Sequence, residues 1–240
     1  MPWYYAVAER DHNLQDPTSP EKIRQLGELL RLGRGTRVLD IGCGKAGPAL
    51  VLAKTFDCTI TGVERAPEFV AAARERVARA GLEERIEIVE ADAAAYPLEP
   101  DAWDVALCLG ASFVFGGLEG TLEALAPTVR PGGFLAIGEP YWKEWPLPRE
   151  VDDDEGFVTL PETVSRVEEA GLAPVGLIAA SEDDWDRYES LHWRAVEEWL
   201  EENPGDPDAS EIRERHRANR DAYLRLQRRL LGWAMFVARR

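Results

Sequence analysis

The chain has 240 residues, 45% of them hydrophobic and 30% charged, with eight Trp: enough for one α/β domain with an elaboration, not for two ordinary domains, and too apolar for disorder. Its net charge of −16 disfavours attachment to nucleic acid or to an anionic membrane, both polyanions. Three dispersed cysteines, Cys43, Cys58 and Cys108, with no CxxC and no paired His, argue against a disulfide framework or a zinc site, and with no basic leader or spanning apolar run the expectation is a soluble, cytoplasmic protein.

Apolar β-rich runs alternate with helical patterns, which predicts a parallel sheet flanked by helices. Residues 1–33 read as an N-terminal helical segment, in which Ser19 and Pro20 open a helix over 19–32 with Ile23, Leu26, Leu29 and Leu30 on one face. Strands are expected at 37–41, 59–64, 85–91, 103–109 and 133–139, with a helix over 67–80 that stops at Gly81. The stretch 140–157, rich in Pro, Trp and acid, reads as a loop over the sheet edge. A helix over 161–170 and a strand over 173–180 follow, and the chain closes on the apolar strand GWAMFVARR.

Before that strand, residues 183–230 predict two helices separated by the breaker ENPGDPD. In the first, Trp185, Tyr188, Leu191, His192, Ala195, Val196, Trp199 and Leu200 share a face. Eleven acids and two Arg lie between Glu182 and Asp208, against nine Arg and three acids between Ser210 and Arg240, so the two helices should pair as a hairpin. Such a hairpin either covers one end of the sheet or closes a substrate pocket. The whole reads as one domain: a core over 34–182, a helical insertion over 183–230 and a final strand over 231–240.

The decisive segment is VLDIGCGKAGPA, residues 38–49: a strand, an acid, then glycines leading into a helix. GCGKAG matches the dinucleotide-binding pattern, but a diphosphate at that helix start would be repelled by Asp40. A ligand carrying an ammonium and a sulphonium is attracted by the same acid, and S-adenosylmethionine has that charge pattern. Gly42, Cys43 and Gly44 would then bring the main chain close to the ligand. Glu64 follows Gly44 by 20 residues, the spacing at which an acid reaches ribose hydroxyls, with Arg65 beside it to flank the adenine. Asp92 and the Ala93 N–H follow the third strand, where they suit the adenine edge.

Taken in order, VLDIGCGKAG, TGVER, EADAAAYP, WDVALCLGASF and RPGGFLAIGEP resemble the class I methyltransferase family over residues 34–140. The resemblance implies a Rossmann-like three-layer α/β/α fold with a seven-stranded mixed sheet, its last strand antiparallel and inserted beside the fifth. It also implies that Asp40, Gly42 and Gly44 hold the methionine part, Glu64 the ribose and Asp92 with Ala93 the adenine, while Leu109 and Gly110 approach the methionine. The helical hairpin departs from the short link of the common core. LGASF after the fourth strand lacks the prolines and acceptor oxygens with which DNA amino-methyltransferases hold a flipped base, which favours a small-molecule acceptor.

Methyl transfer from a sulphonium is an in-line displacement that gains most from alignment. Aromatic walls near the sulphonium would stabilise its charge and exclude water, and Tyr4, Tyr5, Phe113, Tyr141 and Trp142 are candidates, with Glu139 in the same pocket. Glu139, His12 and His192 are the candidates for a base. Competing readings are an aminopropyltransferase-like enzyme, a non-catalytic S-adenosylmethionine-binding protein and an NAD-dependent oxidoreductase. Oligomeric state is not legible.

Overall fold

Strands form where the apolar runs are short and rich in Val and Ile, and helices where the apolar positions recur at three and four. The computed structural model describes residues 2–149, 151 and 156–240. Its order is α1 (Pro2–Ala8), α2 (Pro20–Leu29), β1 (Arg37–Ile41), α3 (Gly47–Phe56), β2 (Thr59–Glu64), α4 (Pro67–Ala80), β3 (Ile86–Glu90), β4 (Trp103–Leu109), α5 (Leu118–Leu125), β5 (Val129–Trp142), α6 (Leu160–Glu169), β6 (Ala173–Ala179), α7 (Glu182–Glu202), α8 (Ala209–Ala222), a π-helical turn (Tyr223–Gln227), α9 (Arg228–Leu230) and β7 (Leu231–Arg239).

Among the described residues seven strands make one sheet, ordered β3-β2-β1-β4-β5-β7-β6. β1 to β5 pair in parallel, and β7 runs antiparallel to both β5 and β6. The order reverses between β1 and β4, so the carboxyl ends of these two strands border a crevice, the usual ligand site of an open α/β sheet. Strand alternation divides the core. Val38 joins Ile23, Leu26, Leu52 and Val70 beneath α2, α3 and α4, whereas Leu39 and Ile41 join Leu118, Leu122 and Val167 beneath α5 and α6. The result is the three-layer α/β/α arrangement with an antiparallel final strand.

Since β6 runs parallel to β5, Ala179 at its end and Leu231 at the start of β7 both lie on the edge that carries the carboxyl ends of β1 and β4. The α7/α8 hairpin therefore stands on the crevice edge. Opposite charges join its two arms: Asp186 of α7 accepts from Arg228 Nε at 2.9 Å and from the Tyr223 hydroxyl at 2.6 Å, and Glu182 lies 3.2 Å from the same guanidinium. A separate small core of Tyr4, Val7 and Ala8 with Val196, Leu200, Ala209 and Ile212 fastens α1 to the hairpin. Each buried Val, Leu or Ile side chain there contributes about 1.5–3 kcal/mol.

Three expectations change. Among the described residues the N-terminal segment is helical at Pro2–Ala8 and Pro20–Leu29, and between them Pro17 disfavours helical backbone at Asp16. β5 continues to Trp142, where pairing with Leu231 and Gly232 extends it into the predicted loop; residues 150 and 152–155 of that loop lie outside the described residues. The segment after β4, for which the pattern predicts no helix, forms α5, whose Leu118, Leu122 and Leu125 are buried. Among the described residues no helix is long and apolar enough to cross a membrane.

Candidate functional site

The crevice is built at the end of β1. Asp40 pairs with Gly62 of β2 and Leu107 of β4, so its backbone is fixed between two strands, and the residue is only 2% exposed. Its Oδ2 has no hydrogen-bond partner. Burial first, then the charge of Glu64, pushes its carboxyl up to about 7. A buried carboxylate without a donor is costly unless a cation meets it.

Beyond Asp40 the chain turns through Gly42 (φ 67) and Gly44 (φ 52), with Ala46 also left-handed at φ 58, before α3 begins. Gly42 and Gly44, expected to bring the main chain close to the ligand, each also have a close protein neighbour. A Cβ on Gly42 would collide with the Ala111 side chain, and one on Gly44 with Gln15 Oε1. Cys43 does not face the crevice: it is buried, with its sulphur over Gly62.

Glu64, at the end of β2, accepts from Gly44 N–H at 3.1 Å and from Arg65 and Ala66 N–H at 2.9 Å each. These bonds fix the carboxylate against the glycine turn and use three of its roughly four lone-pair positions, leaving capacity for a hydroxyl. Arg65 is exposed beside it. Asp92 is exposed and caps the short turn Ala93–Ala95 through a 3.0 Å bond from Ala94 N–H. Leu109 is buried at the end of β4, and Gly110 follows in the left-handed region at φ 69.

Sequence reasoning missed what covers this turn. Residues 9–18 lie across it, with Gln15 Oε1 accepting from Lys45 N–H at 2.6 Å and Asp16 Oδ1 seated where a Cβ of Gly110 would be. Lys45 itself is buried and donates to the carbonyls of Glu9 at 2.6 Å and Arg10 at 3.2 Å, while Arg76 donates to Lys45 O at 2.7 Å and Asn13 O at 3.2 Å. The cleft is strongly acidic as a consequence. Burial first, then Glu9, Asp40 and Glu139, pushes Asp16 up to about 7. Glu139, buried in β5 and bonded by Ser112, is also pushed up to about 7, mainly by burial. The only local signal was the turn-forming, unpatterned run between the two helices.

The remaining candidates separate. Tyr4 is buried and Tyr5 half-exposed on α1, where both line a cavity against the hairpin. Phe113 is 68% exposed after β4. Tyr141 and Trp142 are not pocket walls: extension of β5 sends Tyr141 against Gly232, Ala234 and Phe236 and Trp142 into the main core. His12 is buried against α7, its Nε2 donating to Tyr188 O at 3.0 Å, which leaves Nδ1 as an unpartnered acceptor. Its ring lies 4.4 Å from that of His192, and burial first, then His192, lowers its titration to about 4.

Residues 38–133 match the family model described as a methyltransferase domain. Over its whole length the chain is similar to an S-adenosylmethionine-dependent methyltransferase from Geobacter sulfurreducens solved in complex with S-adenosyl-L-homocysteine, at 35% identity and a TM-score of 0.93, covering 99% of this chain and 98% of that one. It is also 35% identical to the Escherichia coli protein YjhP, over 99% of this chain and 98% of the relative. A 27-O-demethylrifamycin SV methyltransferase from Amycolatopsis mediterranei is 29% identical over 74% of this chain and 66% of its own.

Proposed function

The chain belongs to the S-adenosylmethionine-dependent methyltransferases, and from that premise we propose that its acceptor is a small molecule held between the glycine turn and the helical hairpin. The observation that carries the site assignment is Asp40: a buried acid, one oxygen without a donor, directly below a glycine turn and beside Glu64. That environment fits a cofactor bearing an ammonium and a sulphonium and opposes a diphosphate.

In this reading Asp40 receives the ammonium, Glu64 the ribose hydroxyls, and Asp92 with Ala93 N–H the adenine edge, with Arg65 alongside. The backbone at Leu109 and Gly110 borders the methionine chain. When bound, the cofactor supplies an electrophilic methyl on a positive sulphur. The protein's part is alignment and water exclusion, which residues 9–18 and the hairpin provide by covering the crevice edge. A net charge of −16 and similarity to a methyltransferase whose name specifies a rifamycin support a small acceptor over nucleic acid.

Calorimetry with S-adenosylhomocysteine tests the assignment. Glu64→Gln, which keeps an acceptor oxygen but loses the charge, should bind at least tenfold more weakly, since hydrogen bonds to charged groups contribute about 1.5–3 kcal/mol. Unchanged affinity in Glu64→Gln would remove Glu64 from the site.

A further inference from the structure

Consecutive residues of the N-terminal cover bridge the two turns that rim the crevice. Gln15 Oε1 lies where a Cβ of Gly44 would be, and Asp16 Oδ1 where a Cβ of Gly110 would be. The turns themselves touch, since the Ala111 side chain fills the space beside Gly42. Asp40 of β1 pairs with Leu107 of β4, and Gly110 follows just past the end of that strand. Asp16 therefore meets the sheet at the junction of β1 and β4, beside the buried Asp40 whose Oδ2 has no hydrogen-bond partner.

The polar groups left free at this junction are acceptors. Every backbone N–H from Gly42 to Ala46 already donates within the protein: Gly42 and Cys43 to Val63 O at 2.9 and 3.2 Å, Gly44 to Glu64 at 3.1 Å, Lys45 to Gln15 at 2.6 Å and Ala46 to Cys43 O at 2.9 Å. A glycine turn with free N–H groups cradles an anion, and this one has none to offer. The Asp16 carboxylate, in contrast, keeps part of its surface open and accepts no hydrogen bond among the described residues. Burial, then the charges of Glu9, Asp40 and Glu139, disfavour its ionised form, and no donor offsets them.

A carboxylate with open surface, no donor and acids around it is satisfied by a cation. Among the described residues no three His, Cys, Asp or Glu side chains are grouped closely enough to hold a metal ion, so the spread of these acids suits a larger, organic cation. The cofactor carries two positive centres, and one of them matches a carboxylate that lacks a donor: an ammonium presents three N–H groups, a sulphonium none. We propose that Asp16 binds the cofactor's ammonium jointly with Asp40, so that the N-terminal cover contributes a charge to the cofactor site as well as shielding it. The proposal rests on the methyltransferase reading and adds to it a cofactor-binding residue upstream of the matched methyltransferase domain.

The test is titration calorimetry of the full chain with two ligands, S-adenosylhomocysteine and its desamino analogue, which keeps the adenosine, sulphur and carboxylate and carries hydrogen in place of the amino group. Neither ligand has the sulphonium, so the pair reads the ammonium alone. Asp16→Asn should weaken S-adenosylhomocysteine binding about tenfold, as loss of a hydrogen bond to a charged group does. Affinity for the desamino analogue should stay unchanged or rise, because a negative charge near the ligand's own carboxylate is removed. Unchanged affinity for S-adenosylhomocysteine, or an equal loss for both ligands, would overturn the proposal, the second result marking a residue that merely holds the cover in place. Asp16→Ala should repeat the pattern, and it decides should Asp16→Asn fail to fold. Failure of the wild type to bind S-adenosylhomocysteine would overturn the cofactor reading and this proposal with it, whereas either adverse result in a wild type that binds overturns the proposal alone.

Discussion

Replacing Asp40 with Asn should stabilise the cofactor-free protein while crippling its site. A carboxyl held near 7 in the fold, against an ordinary value of 3.8, contributes nothing below about pH 4, where folded and unfolded chains are both protonated. Between pH 4 and 7 the unfolded chain ionises first and gains over the folded one, so stability falls as pH rises and the full loss is present above 7. The cost is on the order of 2–4 kcal/mol. Asn carries no charge but leaves a buried amide short of partners, at about 1–2 kcal/mol. At pH 8 the variant should therefore be more stable by about 1–2 kcal/mol, or about 2–8 °C in Tm for a chain of this size, and at pH 5 the gain should shrink or reverse. Scanning calorimetry at the two pH values reads this directly. Ligand should narrow or invert the difference. S-adenosylhomocysteine at a hundredfold its Kd stabilises the wild type by about 2.7 kcal/mol, whereas a variant that binds tenfold to a hundredfold more weakly gains only about 0.4–1.4 kcal/mol at the same concentration. A variant no more stable at pH 8, yet equally stabilised by the ligand, would refute the reasoning.

Lys45→Met removes both bonds that hold the carbonyls of Glu9 and Arg10; we expect a loss of about 1–3 kcal/mol and faster tryptic cleavage after Arg10, and unchanged cleavage would show that Lys45 does not fasten the cover. Asp186→Asn disrupts the partly exposed junction with Tyr223 and Arg228 at about 1–2 kcal/mol. Hydrogen exchange should quicken over residues 223–230, with turnover reduced more than cofactor affinity. Equal loss of both would mean that the hairpin supports the whole crevice rather than the acceptor end.

Local signals carried most of the fold. Strands 37–41, 59–64 and 103–109 lie where the apolar runs place them, and helix 67–80 ends at Gly81, which takes the left-handed cap at φ 64. The acids at successive strand ends were legible for the same reason: Asp40, Glu64 and Asp92 each sit within a motif whose geometry is set by its own strand and turn. Non-local features were not. β5 runs to Trp142 because β7, some 90 residues later, offers it nine paired positions, and this pairing turns Tyr141 and Trp142 from expected walls into core. Nothing near Gln15 or Asp16 indicates that they cover Gly44 and Gly110, since that contact depends on Lys45 and Arg76 gripping the chain from elsewhere. His192 was visible as a candidate, but its contact with the His12 ring depends on α7 packing against the N-terminal segment.

The most direct measurement is the proton balance of cofactor binding, by titration calorimetry of S-adenosylhomocysteine at pH 6 in two buffers of different ionisation enthalpy. If the buried acid under the glycine turn waits protonated and ionises to meet the ammonium, wild-type binding releases close to one proton from it, and Asp40→Asn lowers the total release by that amount. Binding of equal strength with no proton released, in wild type and variant alike, would contradict it.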